Sequence, residues 1–180
     1  MRVEGSRCAI RSWSTSDADA IAAHANNLNV AKQLRDRFPH PYTRRHAVEF
    51  LQHATAGERS TNFAIEVGGA AVGGVGFVAG TDIERYSAEV GYWLSEPMWG
   101  RGIATEAVVL VTGYIFSELK MLRLFAVPFA DNHASRRVLE KAGYHCEGIM
   151  RASSVKDGEP RDQALYARIN AAWQGPAPLI

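Results

Sequence analysis

The feature that most constrains how this chain folds is a glycine-rich turn between an apolar strand and a long apolar-striped helix. The run at 90–94 (VGYWL) is typical of a buried strand, and the run at 99–105 (WGRGIAT) follows it and opens the helix. Free backbone N–H groups and the positive end of a helix dipole meet at such a junction, which favours a bound anion. Gly100 and Gly102 allow positive φ and let the backbone approach a ligand closely. The turn is therefore predicted to bind a pyrophosphate-like group.

Two common phosphate-binding motifs do not fit this turn. The dinucleotide fingerprint needs a third small residue where Thr105 stands and an acidic residue about 20 positions later at a strand end. The P-loop needs Gly-Lys-Ser or Gly-Lys-Thr, which the chain lacks. A glycine pair at a strand–helix junction can also be a purely structural turn. The functional interpretation is favoured by a second segment, in which Asn132 and Ser135 begin another helix that ends at Gly143 before a further strand.

Hydrophobic periodicity across the rest of the chain predicts one mixed α/β domain. The glycines at 68 and 69 predict a hairpin between two strands. A run of strands followed by helix–strand–helix–strand predicts an α/β (α+β) mixed sheet with helices on both faces. We expect one domain over residues 1–180, with a core at about 7–170 and a frayed tail at 175–180. The predicted strands are 7–12, 62–67, 71–79, 88–94, 123–127, 144–153 and 161–169, and the predicted helices are 17–27, 29–34, 43–56, 102–119 and 132–142.

Charge, cysteine and histidine patterns exclude several classes of function. The net charge of +1 and the pI near 7.9 give no strong field, so neither nucleic acid nor a membrane is expected as a partner. Cys8 and Cys146 lack a C-x-x-C spacing and are expected to be reduced thiols. The histidines show no metal-ligand spacing, so no metal site is expected. No apolar run approaches the roughly 18 residues of a membrane span and no signal-peptide pattern occurs, so a cytoplasmic location is expected.

Three motifs together resemble one known family. Gly-Arg-Gly-Ile-Ala at 100–104, Asn-x-x-Ser at 132–135 and Leu-Glu-Lys-Ala-Gly-Tyr at 139–144 are similar to the GCN5-related N-acetyltransferase (GNAT) superfamily. Within it, they resemble the RimJ/RimL-like ribosomal-protein N-terminal acetyltransferase branch. The core of the match runs from Ala88 to Cys146. The resemblance implies the GNAT fold, whose central, mostly antiparallel sheet is splayed at a cleft that holds acetyl-CoA.

The resemblance also implies a reaction, in which a primary amine attacks acetyl-CoA, the co-substrate, directly. The leading acceptor is the α-amino group of a protein or peptide N-terminus, because its pKa of about 7.8 makes it far easier to deprotonate than a lysine amine with a pKa of about 10.4. A small amine, such as a polyamine or an amine-bearing antibiotic, is the alternative acceptor. A non-catalytic acyl-CoA-binding module is a further alternative, and both monomer and homodimer stay open. The family's acceptor groove begins at the segment that matches 35–42 (RDRFPHPY).

By the same resemblance, the cofactor-binding residues follow the strand and the turn. The backbone of Trp93 and Leu94 would pair with the pantetheine arm, and the N–H groups of the turn would hold the pyrophosphate. Trp99 stands where the superfamily usually has Arg or Gln, which leaves Arg101 as the only cation inside the loop. We interpret Trp99 as packing under the loop rather than stacking on the ligand, and Asn132 as a helix N-cap that also contacts pantetheine. The predicted set is Trp93, Leu94, Trp99, Gly100, Arg101, Gly102, Ile103, Ala104, Thr105 and Asn132.

Two residues, Glu89 and Ser135, are predicted to act in catalysis. The tyrosine that serves as acid in many family members corresponds to Leu139, so that mechanism cannot be transferred. In the RimJ/RimL-like branch, a serine matching Ser135 is the usual proposal for contact with the thiol sulfur, and a plain surface serine is the alternative. Alternation places Glu89, Gly91 and Trp93 on one side of their strand. There the carboxylate either accepts the amine proton or pairs with an arginine and orders the sheet.

Overall fold

The computed structural model describes residues 1–56 and 61–175 of the chain. Their framework is one eight-stranded sheet in the order β1-β2-β3-β4-β5-β6-β8-β7. The strands are β1 (Arg2–Glu4), β2 (Ala9–Ser12), β3 (Asn62–Val67), β4 (Ala70–Ala79), β5 (Ser87–Leu94), β6 (Arg123–Ala126), β7 (His145–Lys156) and β8 (Glu159–Ile169). The helices are α1 (Ala18–Ala25), α2 (Leu28–Ala31), α3 (Arg44–Thr55), α4 (Ile103–Glu118) and α5 (His133–Lys141). The tail predicted to fray lies outside the described residues, apart from Gly175.

The mixed sheet predicted from the sequence is confirmed. Among the described strands, β5 and β6 pair in parallel and the other neighbours pair antiparallel. Gly68 and Gly69 join β3 to β4 with φ of 58° and 83°, which matches the predicted hairpin. The prediction missed β1, because three residues are too few to show an alternating pattern. β1 lies at the sheet edge and pairs with β2.

The position of α4 follows from its apolar stripe. Ala107, Val111 and Ile115 recur at a helical spacing and are fully buried against the sheet. The buried stripe packs α4 against one face of the sheet. Helix α5 lies on the same face, and the core between these helices and the sheet includes Val90 and Leu94 of β5. Because the stripe is local in sequence, the pattern predicts both the helix and its buried face.

The opposite face of the sheet carries α1 and α3, so helices cover both faces as predicted. Their smaller core includes Trp13 and Leu51, and Trp93 of β5 packs against it. Tyr92, the preceding residue, packs against the core on the α4 side. Successive side chains of β5 therefore pack on opposite faces of the sheet, as the alternation of side chains along a strand requires.

β5 and β6 separate in the middle of the sheet. They pair only over Ser87–Glu89 and Arg123–Phe125, whereas β5 continues to Leu94 and stays paired with β4. Among the described residues, no strand pairs with this second backbone edge of residues 90–94, because β8 pairs with the far side of β6. The splayed cleft predicted for the sheet is confirmed. A strand edge of this kind can pair with an added extended chain.

Candidate active site

A cavity of about 750 Å³ lies at the splayed cleft. Its wall includes the free edge of β5, the glycine turn and the first turn of α5. Of the residues predicted from the sequence for the site, Arg101 alone does not line this cavity. The others do, namely Glu89, Trp93, Leu94, Trp99, Gly100, Gly102, Ile103, Ala104, Thr105, Asn132 and Ser135. The fold thus brings three segments that are distant in sequence to one cavity.

Two glycines of the turn adopt a backbone conformation that residues with a side chain rarely adopt. Gly100 and Gly102 have φ of 75° and 77°, which lies in the left-handed region. Gly102 directly precedes α4 and supplies no side-chain cap. The first N–H groups of an α-helix have no intrahelical partner, and Ile103 and Ala104 line the cavity. The positive end of the α4 dipole therefore opens on the cavity.

Trp99 is 45% exposed and lines the cavity. The interpretation that it packs under the loop rather than stacking on a ligand stays a prediction. Its indole N–H donates a hydrogen bond to the carbonyl oxygen of Leu94 (2.8 Å). This bond ties the turn back to the end of β5 and occupies one lone pair of that carbonyl.

Two arginines lie near the turn, Arg101 within it and Arg7 from the start of the chain. Arg101 is exposed, and its guanidinium contacts the sulfur of Met98 (3.9 Å). Arg7, which precedes β2, has its Nε atom 3.2 Å from the position that a Cβ on Gly102 would take. Sequence reasoning missed Arg7, because nothing in the local pattern indicates that the start of the chain reaches this turn.

Glu106 anchors the segment that carries Arg7. Its carboxylate accepts hydrogen bonds from the backbone N–H groups of Ser6 (3.0 Å), Arg7 (2.6 Å) and Cys8 (2.9 Å), and from the Ser6 hydroxyl (2.6 Å). Burial disfavours the charged form, but these hydrogen bonds outweigh burial and lower the pKa of Glu106 to about 2. Gly5 leaves room for the carboxylate, because a Cβ there would lie 2.6 Å from Oε2. An acid in the first turn of a helix is ordinary, so the sequence gives no signal for this contact.

The first turn of α5 is joined to β5 through hydroxyl groups. The Oδ1 atom of Asn132 accepts the N–H of Ser135 (3.1 Å), which confirms the N-cap interpretation. Ser135 is half-buried, and its Oγ lies 2.7 Å from the hydroxyl of Tyr92, which also reaches the Ser135 carbonyl oxygen (3.1 Å). Burial raises the pKa of Tyr92, and the hydrogen bond with Ser135 offsets part of that effect. A hydrogen bond to Tyr92 of β5 thus holds the Ser135 hydroxyl in place, so Ser135 is not a plain surface serine.

Glu89 forms an ion pair with Arg35, from the segment that follows α2. The Arg35 side chain is 63% exposed and that of Glu89 is 29% exposed, so solvent weakens the pair. Both residues line the cavity. Only Oε1 of Glu89 meets Arg35; Oε2 has no hydrogen-bond partner among residues 1–56 and 61–175. Glu89 therefore pairs with an arginine, which is one of its two predicted roles, and the pair uses only one of its carboxylate oxygens.

The cavity wall is rich in cations. Within the described part of the chain, Lys32 and Arg35 line it from the segment after α2, and Arg137 and Lys141 line it from successive turns of α5. No group of three or more metal-ligating side chains occurs in the described ranges. None of the helices described is long and apolar enough to cross a bilayer. Cations and backbone N–H groups suit an anionic ligand.

Comparison with known proteins identifies related sequences. A protein-family model described as "Acetyltransferase (GNAT) domain" matches residues 7–145. A Bacillus subtilis protein named "Uncharacterized N-acetyltransferase YoaA" is 38% identical over 96 residues, which are 53% of this chain and 54% of that protein. For three curated relatives from this organism, the match spans about half of their own length.

Solved structures share the architecture of most of the chain. RimL, described as a ribosomal L7/L12 alpha-N-protein acetyltransferase in complex with coenzyme A, has a TM-score of 0.82 at 21% identity, over 94% of this chain and 98% of that one. Mycobacterium smegmatis RimJ, in complex with a CoA-disulfide, has a TM-score of 0.81 at 25% identity, over 90% and 81%. The fold of the chain is therefore the one that these two structures share.

Proposed function

Because this chain belongs to the GNAT acetyltransferase family, we propose that it transfers the acetyl group of acetyl-CoA directly to the α-amino group of a protein or peptide N-terminus. The observation that carries the proposal is that the glycine turn, the free edge of β5 and the carboxylate of Glu89 meet in one cavity. The description of RimL as an alpha-N-protein acetyltransferase supports this choice of acceptor.

In this proposal, acetyl-CoA lies in the splayed cleft. The N–H groups at 100–104 and the dipole of α4 bind the pyrophosphate, whereas the N–H of Trp99 already donates to the carbonyl oxygen of Glu96 (3.0 Å). The pantetheine arm pairs with the free edge of β5 along Trp93 and Leu94. The helix cap engages only Oδ1 of Asn132, so its amide N–H groups remain for the pantetheine. Arg137 and Lys141 then offset the charge of the phosphates.

The side chains at the cleft suit the proton transfers of aminolysis. The amine nitrogen attacks the thioester carbon, the N–C bond forms and the C–S bond breaks. Glu89 accepts the proton of the amine, directly or through water, at the oxygen that Arg35 leaves open. Ser135 donates a hydrogen bond to the departing thiolate sulfur, while Tyr92 holds the serine hydroxyl. The leaving thiolate keeps the electron pair of the broken bond until it is protonated.

A thiol-release assay tests the proposed function. Purified protein is incubated with acetyl-CoA and peptides with a free N-terminus, the same peptides with a blocked N-terminus and a free lysine, a polyamine, or an amine-bearing antibiotic. We expect release only with the free α-amine. Thiol release with the polyamine or the antibiotic alone would identify a small amine as the acceptor instead. Binding of coenzyme A without any release would identify a binding module.

Replacing Glu89 by glutamine tests the base. The Glu89→Gln variant keeps the size of the side chain but cannot take up a proton, so we expect kcat at pH 7 to fall about a hundredfold. Glu147→Gln, which alters an ion pair with Arg123 outside the cavity, is the matched control. A loss of thermal stability with an unchanged kcat would mean that Glu89 only orders the sheet.

Removing the hydroxyl of Tyr92 tests how Ser135 is held. One neutral hydrogen bond contributes about 1 kcal/mol, so we expect Tyr92→Phe to lower kcat about fivefold without raising the KM for acetyl-CoA. In a Ser135→Ala background, the same change should have almost no further effect, because the two hydroxyls act as a unit. Tyr144→Phe, which removes a buried bond to Thr112 (2.8 Å), is the control. Additive effects of the two substitutions would contradict the proposed pairing.

A further inference from the structure

The segment that leads from β5 into the glycine turn is held by hydrogen bonds at both of its ends. Ser95 is buried, its N–H donates to the carbonyl oxygen of Val72 (2.9 Å), and its hydroxyl lies 2.9 Å from Nδ1 of His24 in α1. The carbonyl oxygen of Glu96 accepts the N–H of Trp99 (3.0 Å), the first residue of the turn. The backbone of Glu96 therefore has a set position relative to the turn, although Glu96 itself does not line the cavity.

The carboxylate of Glu96 binds helix α2 through two side-chain amides. Its Oε2 accepts a hydrogen bond from Nδ2 of Asn27 (2.6 Å), and its Oε1 accepts one from Nδ2 of Asn29 (3.0 Å). The Oδ1 atom of Asn27 caps α2 by accepting the N–H groups of Asn29 (2.8 Å) and Val30 (3.2 Å). The Oδ1 atom of Asn29 accepts Nζ of Lys32 (2.7 Å). These other partners fix which atom of each amide faces Glu96, so both amides donate to the carboxylate.

Helix α2 depends on tertiary contacts for its position. It has four residues, Leu28–Ala31, and a single helical turn is not stable by itself. The chain after it forms part of the cavity wall, where Lys32 and Arg35 lie, and Arg35 pairs with Glu89. Glu96 thus joins the α2 segment to the glycine turn by bonds that span 69 and 67 residues of the sequence.

We propose that Glu96 is a positioning residue, which couples the binding of coenzyme A at the glycine turn to the order of residues 28–35. A ligand that immobilises the turn also immobilises the backbone of Glu96, and the carboxylate then holds α2 in place. Arg35 is in this way kept at Glu89 when the cofactor is bound. The inference rests on the placement of acetyl-CoA in the proposed function, but it does not depend on which amine is the acceptor.

Reversing the polarity of one of these bonds tests the coupling. Glu96→Gln has only one oxygen for the two amide donors, so one of the two bonds is lost. Asn27→Asp keeps the N-cap but places a second carboxylate against Glu96. The double variant N27D/E96Q restores the bond in the opposite direction, because the new glutamine amide donates to the new aspartate. Its remaining oxygen still accepts the amide of Asn29, and the net charge is that of the wild type.

Hydrogen exchange at the backbone N–H groups of residues 28–35, with and without coenzyme A, measures the order of the segment. In the wild type we expect saturating coenzyme A to slow this exchange about tenfold. In each single variant the slowing should fall below about threefold, and the Kd of coenzyme A should rise about fivefold. In the double variant, both values should return to within about twofold of the wild type. Glu49→Gln, which weakens an exposed ion pair with Arg45 on α3 outside the cavity, is the matched control.

The remaining outcomes would overturn the inference. Unchanged slowing in Glu96→Gln would mean that coenzyme A acts on residues 28–35 without Glu96. A double variant that does not recover would mean that the single changes act through a general loss of stability and not through this bond. If the wild type binds coenzyme A without slower exchange at 28–35, the coupling fails while the transferase function stands. If the wild type does not bind coenzyme A, the proposed function fails and the coupling fails with it.

Discussion

Replacing Gly102 by valine is expected to weaken acetyl-CoA binding by a factor on the order of a hundred, because backbone strain of about 1–2 kcal/mol adds to lost charge-assisted hydrogen bonds. Gly102 has φ of 77°, which a β-branched residue adopts only under strain. The new side chain would also start 3.2–3.3 Å from Nε and Cδ of Arg7. Both effects turn the first N–H groups of α4 away from a bound pyrophosphate.

Isothermal titration with coenzyme A measures this effect without any assumption about turnover. Gly113→Val is the matched control, because Gly113 lies within α4, has an ordinary φ and has open space around it. Far-ultraviolet circular dichroism establishes that both variants are folded. If Gly102→Val binds coenzyme A as tightly as the wild type, the turn does not hold the cofactor and the proposed function loses its main support.

Replacing Glu106 by alanine is expected to lower the free energy of unfolding by about 2–3 kcal/mol, because a hydrogen-bonded carboxylate is lost together with the partners of several N–H groups. The carboxylate is only 15% exposed and binds three successive backbone N–H groups at 6–8. We also expect weaker coenzyme A binding, because the segment that carries Arg7 beside Gly102 loses its anchor. Urea unfolding at pH 7 measures the first effect, and Glu118→Gln, at an exposed position of the same helix, is the control.

The pH dependence of stability provides a second test of Glu106. Its pKa in the folded protein is lowered from 4.5 to about 2, so the carboxylate stabilises the folded state fully above pH 4.5. This contribution is lost as the pH falls from 4.5 towards 2. The stability difference between the wild type and Glu106→Gln should therefore shrink over that range, since glutamine does not titrate. A difference that stays constant down to pH 2 would contradict the assigned hydrogen bonds.

The contrast between Gly102 and Arg7 illustrates what could be predicted for this site. The conformation of Gly102 follows from its place between an apolar strand and an apolar-striped helix, so the sequence pattern indicates it. The approach of Arg7 to Gly102 depends on how β2 and α4 pack and on the bonds that Glu106 makes to residues 6–8. No local pattern encodes a contact between such distant segments. For the same reason, the contact between Tyr92 and Ser135 could not be predicted, and neither could the identity of Arg35 as the arginine that pairs with Glu89.

The sequence by itself determined the elements whose physics is local. These are the hairpin at Gly68-Gly69, the buried stripe of α4, the alternation of β5 and the positive φ of the turn glycines, because sterics and periodicity act over a few residues. The tertiary structure alone decided the exposure of Trp99 and the partner of Ser135. These depend on the order of the strands and on where β5 leaves β6, which only the packing of the whole chain sets.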